Sequence, residues 1–182
     1  MRAKWLCLVA LAAAAAGCGQ GRAIFDIDVF SFLSATNADT LAYRGPLPPL
    51  VPDTIPVQTV KSLGIGSSSL VDTVRLIGSV NFVNDSGTGN VTFAVYFDTV
   101  KSAVYTGTPA FSVSGAVTPG VTTPSPFDIP DLPTALKPLF LASTVYVGIR
   151  VSATPTPPSG PVRGTAKLTA LRARIVIQDK LF

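Results

Sequence analysis

From Phe25 onward, apolar and polar side chains alternate with a period of two, and this restricts the chain to β-structure more firmly than any other feature. Leu70, Val74, Leu76, Val80 and Phe82 alternate with Thr73, Arg75, Ser79 and Asn81. Val91, Phe93, Val95 and Phe97 repeat the pattern against Thr92, Tyr96 and Asp98, and Val145, Val147, Ile149 and Val151 carry it again. Helix formers are scarce, since all ten acids are Asp and Glu is absent, while Val, Thr, Ile and Phe are plentiful. The 16 Pro and 15 Gly fall between apolar stretches, which reads as short strands with punctuated loops and not as disorder.

The individual strands follow from this alternation. Phe25, Ile27, Val29 and Leu33 share one face of a first strand, with Asp26, Asp28, Phe30 and Phe32 on the other. A second segment runs from Pro56 to Leu63. The turn residues Asn84 to Asn90 predict an antiparallel hairpin between the Leu70–Phe82 and Val91–Asp98 stretches. Ala110 to Val117 reads as a further strand. Pro119 to Pro138 reads as a long crossing loop with one helical turn near Thr134 to Lys137, because proline cannot donate to a ladder. In the last strand, Thr165 to Gln178, Leu168 and then Leu171, Ala173, Ile175 and Ile177 change parity, which predicts a bulge near Thr169 and Ala170. About six or seven strands and no amphipathic helix predict an all-β antiparallel β-sandwich, immunoglobulin-like in outline.

The first residues differ in kind. Arg2 and Lys4 precede an uncharged apolar run from Trp5 to Ala16, which ends at Gly17 and Cys18. This is the three-part layout of a secretory leader. At about twelve residues the run is shorter than the roughly twenty that a permanent membrane-spanning helix needs.

Ala15-Ala16-Gly17-Cys18 resembles the lipobox of bacterial lipoproteins, in which small residues admit the signal peptidase and a thiol accepts the lipid. That family usually has Leu three places before the cysteine, where this chain has Ala15. The resemblance implies a lipoprotein signal peptide over 1–17, a lipidated, palmitate-bearing N-terminus and tether over 18–23, and one domain over 24–182. It places the protein in the bacterial cell envelope, extracytoplasmic and lipid-anchored through Cys18. Gly19, where an Asp would follow in an inner-membrane protein of that kind, points to the outer membrane. Cys7 leaves with the leader, so core packing and not a disulfide must hold the domain.

Charge and composition exclude several function classes. Removing two of the 14 basic side chains with the leader leaves 12 against ten acids, too even a balance for the dense Lys/Arg stripe of a nucleic-acid binder. Without His or Glu there is no Ser-His-Asp or Cys-His arrangement and no imidazole metal ligand. No catalytic residue, metal site or cofactor is expected. Asp26 and Asp28 could meet a cation, but a solvated strand face accounts for them. The Asn84–Asn90 loop lacks the bidentate acid of a calcium loop, and Gly64-Ile65-Gly66 lacks the lysine and helix of a phosphate loop.

Two surface features remain as a candidate binding surface. Arg150, Arg172 and Arg174 lie opposite the apolar residues of the last two strands and would form a basic patch if those strands pair. Phe30 and Phe32 fall on a strand face that should be wet. The sequence thus points to a non-enzymatic interaction or structural module whose partners are membrane lipid through Cys18 and an envelope protein or anionic glycan. The alternative is a carrier or sensor holding an apolar small molecule or lipid between the sheets or under the 119–138 loop.

Overall fold

The computed structural model describes residues 21–46, 53–61 and 69–179. Cys18, the Gly64 loop and the chain ends lie outside the described residues. The strands are β1 (Gly21–Asp28), β2 (Thr40–Gly45), β3 (Asp53–Thr54), β4 (Gln58–Lys61), β5 (Ser69–Ser86), β6 (Gly89–Asp98), β7 (Phe111–Val117), β8 (Thr122–Ile129), β9 (Thr144–Pro155) and β10 (Val162–Asp179). A short helix, α1 (Val29–Ala35), separates β1 from β2, and 3₁₀ helices cover Lys101–Ala103 and Thr134–Leu141. Every strand pairing is antiparallel.

The pairings define one long hairpin of strands, rolled on itself. β10 pairs with β1 and β2, β9 with β3 and β4, β5 with β8, and β6 with β7 at the tip. Two further ladders, β10 with β5 and β9 with β6, close the roll into two five-stranded sheets. The first has the order β1-β10-β5-β8 and the second β3-β9-β6-β7, with β2 and β4 continuing the edges that β1 and β3 begin. Counting each interrupted edge once gives eight strands in the order of a jelly roll. The antiparallel sandwich is as the alternation predicts, and the connectivity refines its outline from immunoglobulin-like to jelly-roll.

The core lies between the sheets. Val74, Leu76, Val80, Phe82, Leu168, Leu171 and Ile175 from one face meet Val91, Phe93, Val95, Val147, Ile149 and Val151 from the other, none more than 1 % exposed. Burying each such side chain contributes about 1.5–3 kcal/mol, which is how a domain without a disulfide can hold together. The change of parity in β10 is met by a register shift between Leu168 and Ala170, at the expected bulge.

Three local expectations are corrected. The predicted hairpin does not form: β5 and β6 belong to different sheets and stack face to face through the turn at Gly87, whose φ of 70° suits a glycine. The 119–138 stretch is not one loop, because Thr122–Ile129 is an edge strand. Pro124 and Pro126 are two apart, so both missing N–H groups point the same way, which an edge strand tolerates on its free side. The first strand ends at Asp28, where the chain turns into α1.

That helix has its own causes. The Asp28 carboxylate accepts the Ser31 N–H at 3.3 Å, Val29 and Leu33 bury one face, and Asn37 at φ 55° stops the helix. Ala38 N–H donates to Leu33 O and Asn37 N–H to Ser34 O, a left-handed C-terminal cap. Strand β1 also begins at Gly21, three residues earlier than the expected domain start.

Candidate functional site

The outer face of the β1-β10-β5-β8 sheet gathers most of the charge. Asp26 stands opposite Arg174, Arg174 opposite Arg75, and Asp28 opposite Arg172 in the strand registers. Arg174 donates from Nε and Nη2 to the two carboxylate oxygens of Asp26 at 2.9 and 3.1 Å, and Arg75 grips Asp128 in the same forked way. Arg22 on β1 reaches over β10 to Asp72 on β5 at 3.1 Å. The hydrogen bond from Arg174 holds the Asp26 carboxyl below its usual value, and Arg75 does the same for Asp128. The same bonds raise both arginines.

A shallow concavity of about 570 Å³ lies over this ladder, between Asp26 and Asp28 on one side and Arg75 and Ile77 on the other, with Arg172 and Arg174 in its floor. Asp28 is turned to cap α1, so Arg172 has no ion-pair partner among the described residues. The acids that could have met a metal are therefore engaged with arginine or backbone, and no group of three metal-binding side chains occurs among the described residues.

Arg150 does not join this patch. β9 and β10 lie in different sheets and stack across the core, so Arg150 projects from the far side of the molecule. There its guanidinium lies 5.2 Å from the ring centre of Tyr96 and 5.3 Å from that of Tyr105. Nη1 donates to the Tyr96 hydroxyl at 3.4 Å and Nη2 to the Tyr105 carbonyl at 3.3 Å, while the buried Nε finds no partner among the described residues. Residues 101–106 fold over this face. Val104 and Tyr105 press on Gly148, where an added Cβ would come within 2.5 Å of Val104 and 2.7 Å of the Tyr105 ring. Burial raises the Tyr105 hydroxyl, partly offset by its bond to Ile149 and by the charge of Arg150. This arginine anchors a loop.

Phe30 and Phe32 are also separated from Asp26 and Asp28, because α1 and not a strand carries them. Phe30 packs against the core and Phe32 is 56 % exposed. The oxygen-rich loop expected at 84–90 is a turn: Asn84 is buried, donates to Gly87 O at 2.6 Å and takes the Tyr43 hydroxyl at 3.3 Å. A second depression of about 400 Å³ lies beside β2 and the β3–β4 break, lined by Thr36, Leu41, Ile55 and Gln58. No helix among the described residues is long and apolar enough to cross a membrane.

The sequence reading missed three cations. Arg44 on β2 stands directly opposite Arg163 on β10, and Lys167 lies opposite Thr40, all exposed on the same outer face as Arg172. The signal was present, since buried Leu41 and Tyr43 alternate with exposed Thr40, Ala42 and Arg44.

No protein-family profile matches the chain. No curated protein matches it either. Solved structures give weak likenesses: infectious bursal disease virus, Gx strain, at 12 % identity over 90 % of this chain, TM-score 0.42. Mud crab tombus-like virus follows at 14 % identity over 89 % of this chain and 81 % of its own, TM-score 0.33. Eiger TNF from S. frugiperda matches at 5 % identity over 79 % of this chain and 92 % of its own, TM-score 0.33. The chain spans only 39 % of the length of the bursal disease virus protein it resembles. At these scores the likenesses add nothing to the strand order described above.

Proposed function

We propose that this protein is a lipid-anchored bacterial envelope protein whose jelly-roll domain is a non-enzymatic interaction module. The observation that carries the reading is the uncharged Trp5–Ala16 run closing on Ala15-Ala16-Gly17-Cys18, with the first strand starting at Gly21. Acyl chains on one sulfur supply durable attachment, because each buried methylene contributes about 0.8 kcal/mol and two or more chains are enough to resist release. A chain with neither His nor Glu supports a binding role over catalysis. The outward-facing cations and apolar side chains of one sheet favour a surface partner over a ligand enclosed between the sheets.

Intact-mass spectrometry of the protein purified from its host tests the anchor. The expected species begins at Cys18 and carries diacylglyceryl mass, and a chain cut elsewhere or free of acyl groups overturns the reading.

A further inference from the structure

The geometry points to the outer face of the β1-β10-β5-β8 sheet as a membrane-contact surface that lays the domain on an anionic lipid headgroup layer. This rests on the lipid-anchor reading and adds to it a face, an orientation and a lipid charge.

Apolar residues and unpaired cations meet on this face. Of the seven large apolar side chains exposed among the described residues, Ile24, Leu70, Ile77 and Val83 all project from it. Arg44, Arg163, Lys167 and Arg172 project from it too, and none of the four forms an ion pair among the described residues. Arg44 and Arg163 are direct cross-strand neighbours, an arrangement of like charges that costs the sheet stability. From Arg163 to Arg172 the cations extend roughly 30 Å along β10, at about 3.3 Å per residue. Three of the acids on this face are neutralised by Arg174, Arg22 and Arg75, and Asp28 is spent on α1, which among the described side chains leaves Asp85 at the far end of β5.

The tether selects the same face. Cys18 and Gly21 are three peptide units apart, so their Cα atoms are separated by at most about 11 Å. Facing sheets pack about 10 Å apart, and Gly21 belongs to this sheet, so an anchor on Cys18 reaches the outer face of this sheet without having to cross the sandwich. On the outer face of the other sheet, Val104 and Tyr105 cover the stretch around Ala94, Tyr96 and Gly148. Cations interleaved with aliphatic side chains suit a lipid interface, where charge meets the phosphates and methyl groups enter the headgroup boundary.

The test uses the full-length protein from its host, carrying an environment-sensitive fluorophore on either Thr40→Cys, an exposed position of this face, or Ser112→Cys, an exposed position of the opposite sheet. Each is placed in vesicles of phosphatidylcholine with or without phosphatidylglycerol. The Thr40→Cys probe is expected to leave water only with phosphatidylglycerol and to return on adding salt, while the Ser112→Cys probe stays wet. Replacing Arg44, Arg163 and Lys167 by Gln should reduce the docked population about fivefold per cation, with the melting temperature of the variant as the check on its fold. A Thr40→Cys probe that stays wet, that is shielded equally by neutral vesicles, or that is shielded by a soluble anionic polysaccharide and not by vesicles overturns the proposal. Intact mass on the same sample separates the two claims. Acylated protein with a wet Thr40 face keeps the anchor and loses the docking surface, whereas unacylated protein that still docks on anionic vesicles loses the anchor and keeps the surface.

Discussion

The phenolic oxygen of Tyr105 stands 3.1 Å from the backbone nitrogen of Ile149 and accepts its N–H, while its own proton goes to the Ile55 carbonyl at 2.7 Å. The β3–β4 edge is broken at residues 55–57, where Pro56 lacks a donor, and β9 would otherwise face that gap with a polar group unmatched. A side chain from the loop after β6 thus completes the ladder that the edge strand leaves open. The same residue carries the ring that stacks on Arg150, so one tyrosine ties a loop, a sheet edge and a cation together.

Tyr105→Phe keeps the ring and removes the hydroxyl. It should cost about 1–3 kcal/mol, because the Ile149 N–H and the Ile55 carbonyl lose their partner away from water. Chemical denaturation reads this directly, and an unchanged midpoint would show that the edge re-pairs without the phenol.

What the sequence could convey depended on whether a signal was local. Alternation at Val74 to Phe82 and at Val145 to Val151 identified core faces correctly, because side-chain period does not depend on partners. Pairing does depend on them: a short Gly-containing turn after Asn84 serves a hairpin and a face-to-face arch alike, and only the packing of Phe82 against the opposite sheet decides. For the same reason the alternation places Arg172 and Arg174 together on one face, whereas Arg150 would join them only if β9 and β10 paired, and they lie in different sheets. Val29 and Leu33 sit four apart, a spacing that fits a strand of even period and one helical face equally well, and the cap at Asp28 settles it.

Phe30 and Phe32 should respond differently to truncation. Phe30 packs on the core, so Phe30→Ala should lower stability by about 2 kcal/mol. Phe32 is 56 % exposed, and Phe32→Ala should stay within about 0.5 kcal/mol of the parent. Thermal unfolding of the two variants side by side checks the helical placement, since a strand would have exposed both rings on one face.

Tyr43 is pushed up to about 12, first by burial and then by the negative charge of Asp85. Its folded value lies above the unfolded one, so the stability it contributes is complete below about pH 10 and is lost as pH rises through about 12. Absorbance titration of tyrosinate should show a late phase whose amplitude Tyr43→Phe reduces, Tyr105 being raised as well, and alkaline unfolding should fall in the same window. A late phase of unchanged amplitude in the variant would assign it to other tyrosines.

At the acid end the ladder on the outer face sets the response. Hydrogen bonds from Arg174 and Arg75 hold Asp26 and Asp128 below their usual range, so their contribution is present above the unfolded value of 3.8. It is lost as pH falls below that toward their folded values, because protonation then favours the unfolded chain. Denaturation midpoints should therefore be level from neutral pH down to about 4 and decline beneath it. Both carboxylates are solvent-exposed, so the decline should be gentle and further reduced by salt. The double variant Asp26→Asn, Asp128→Asn should flatten the acid limb while leaving the strand pairing intact, as read by circular dichroism. If the limb keeps its slope, the acid sensitivity belongs to other carboxylates, of which Asp131, raised by burial but brought down further by Lys137 and the Val74 N–H, is the next to replace.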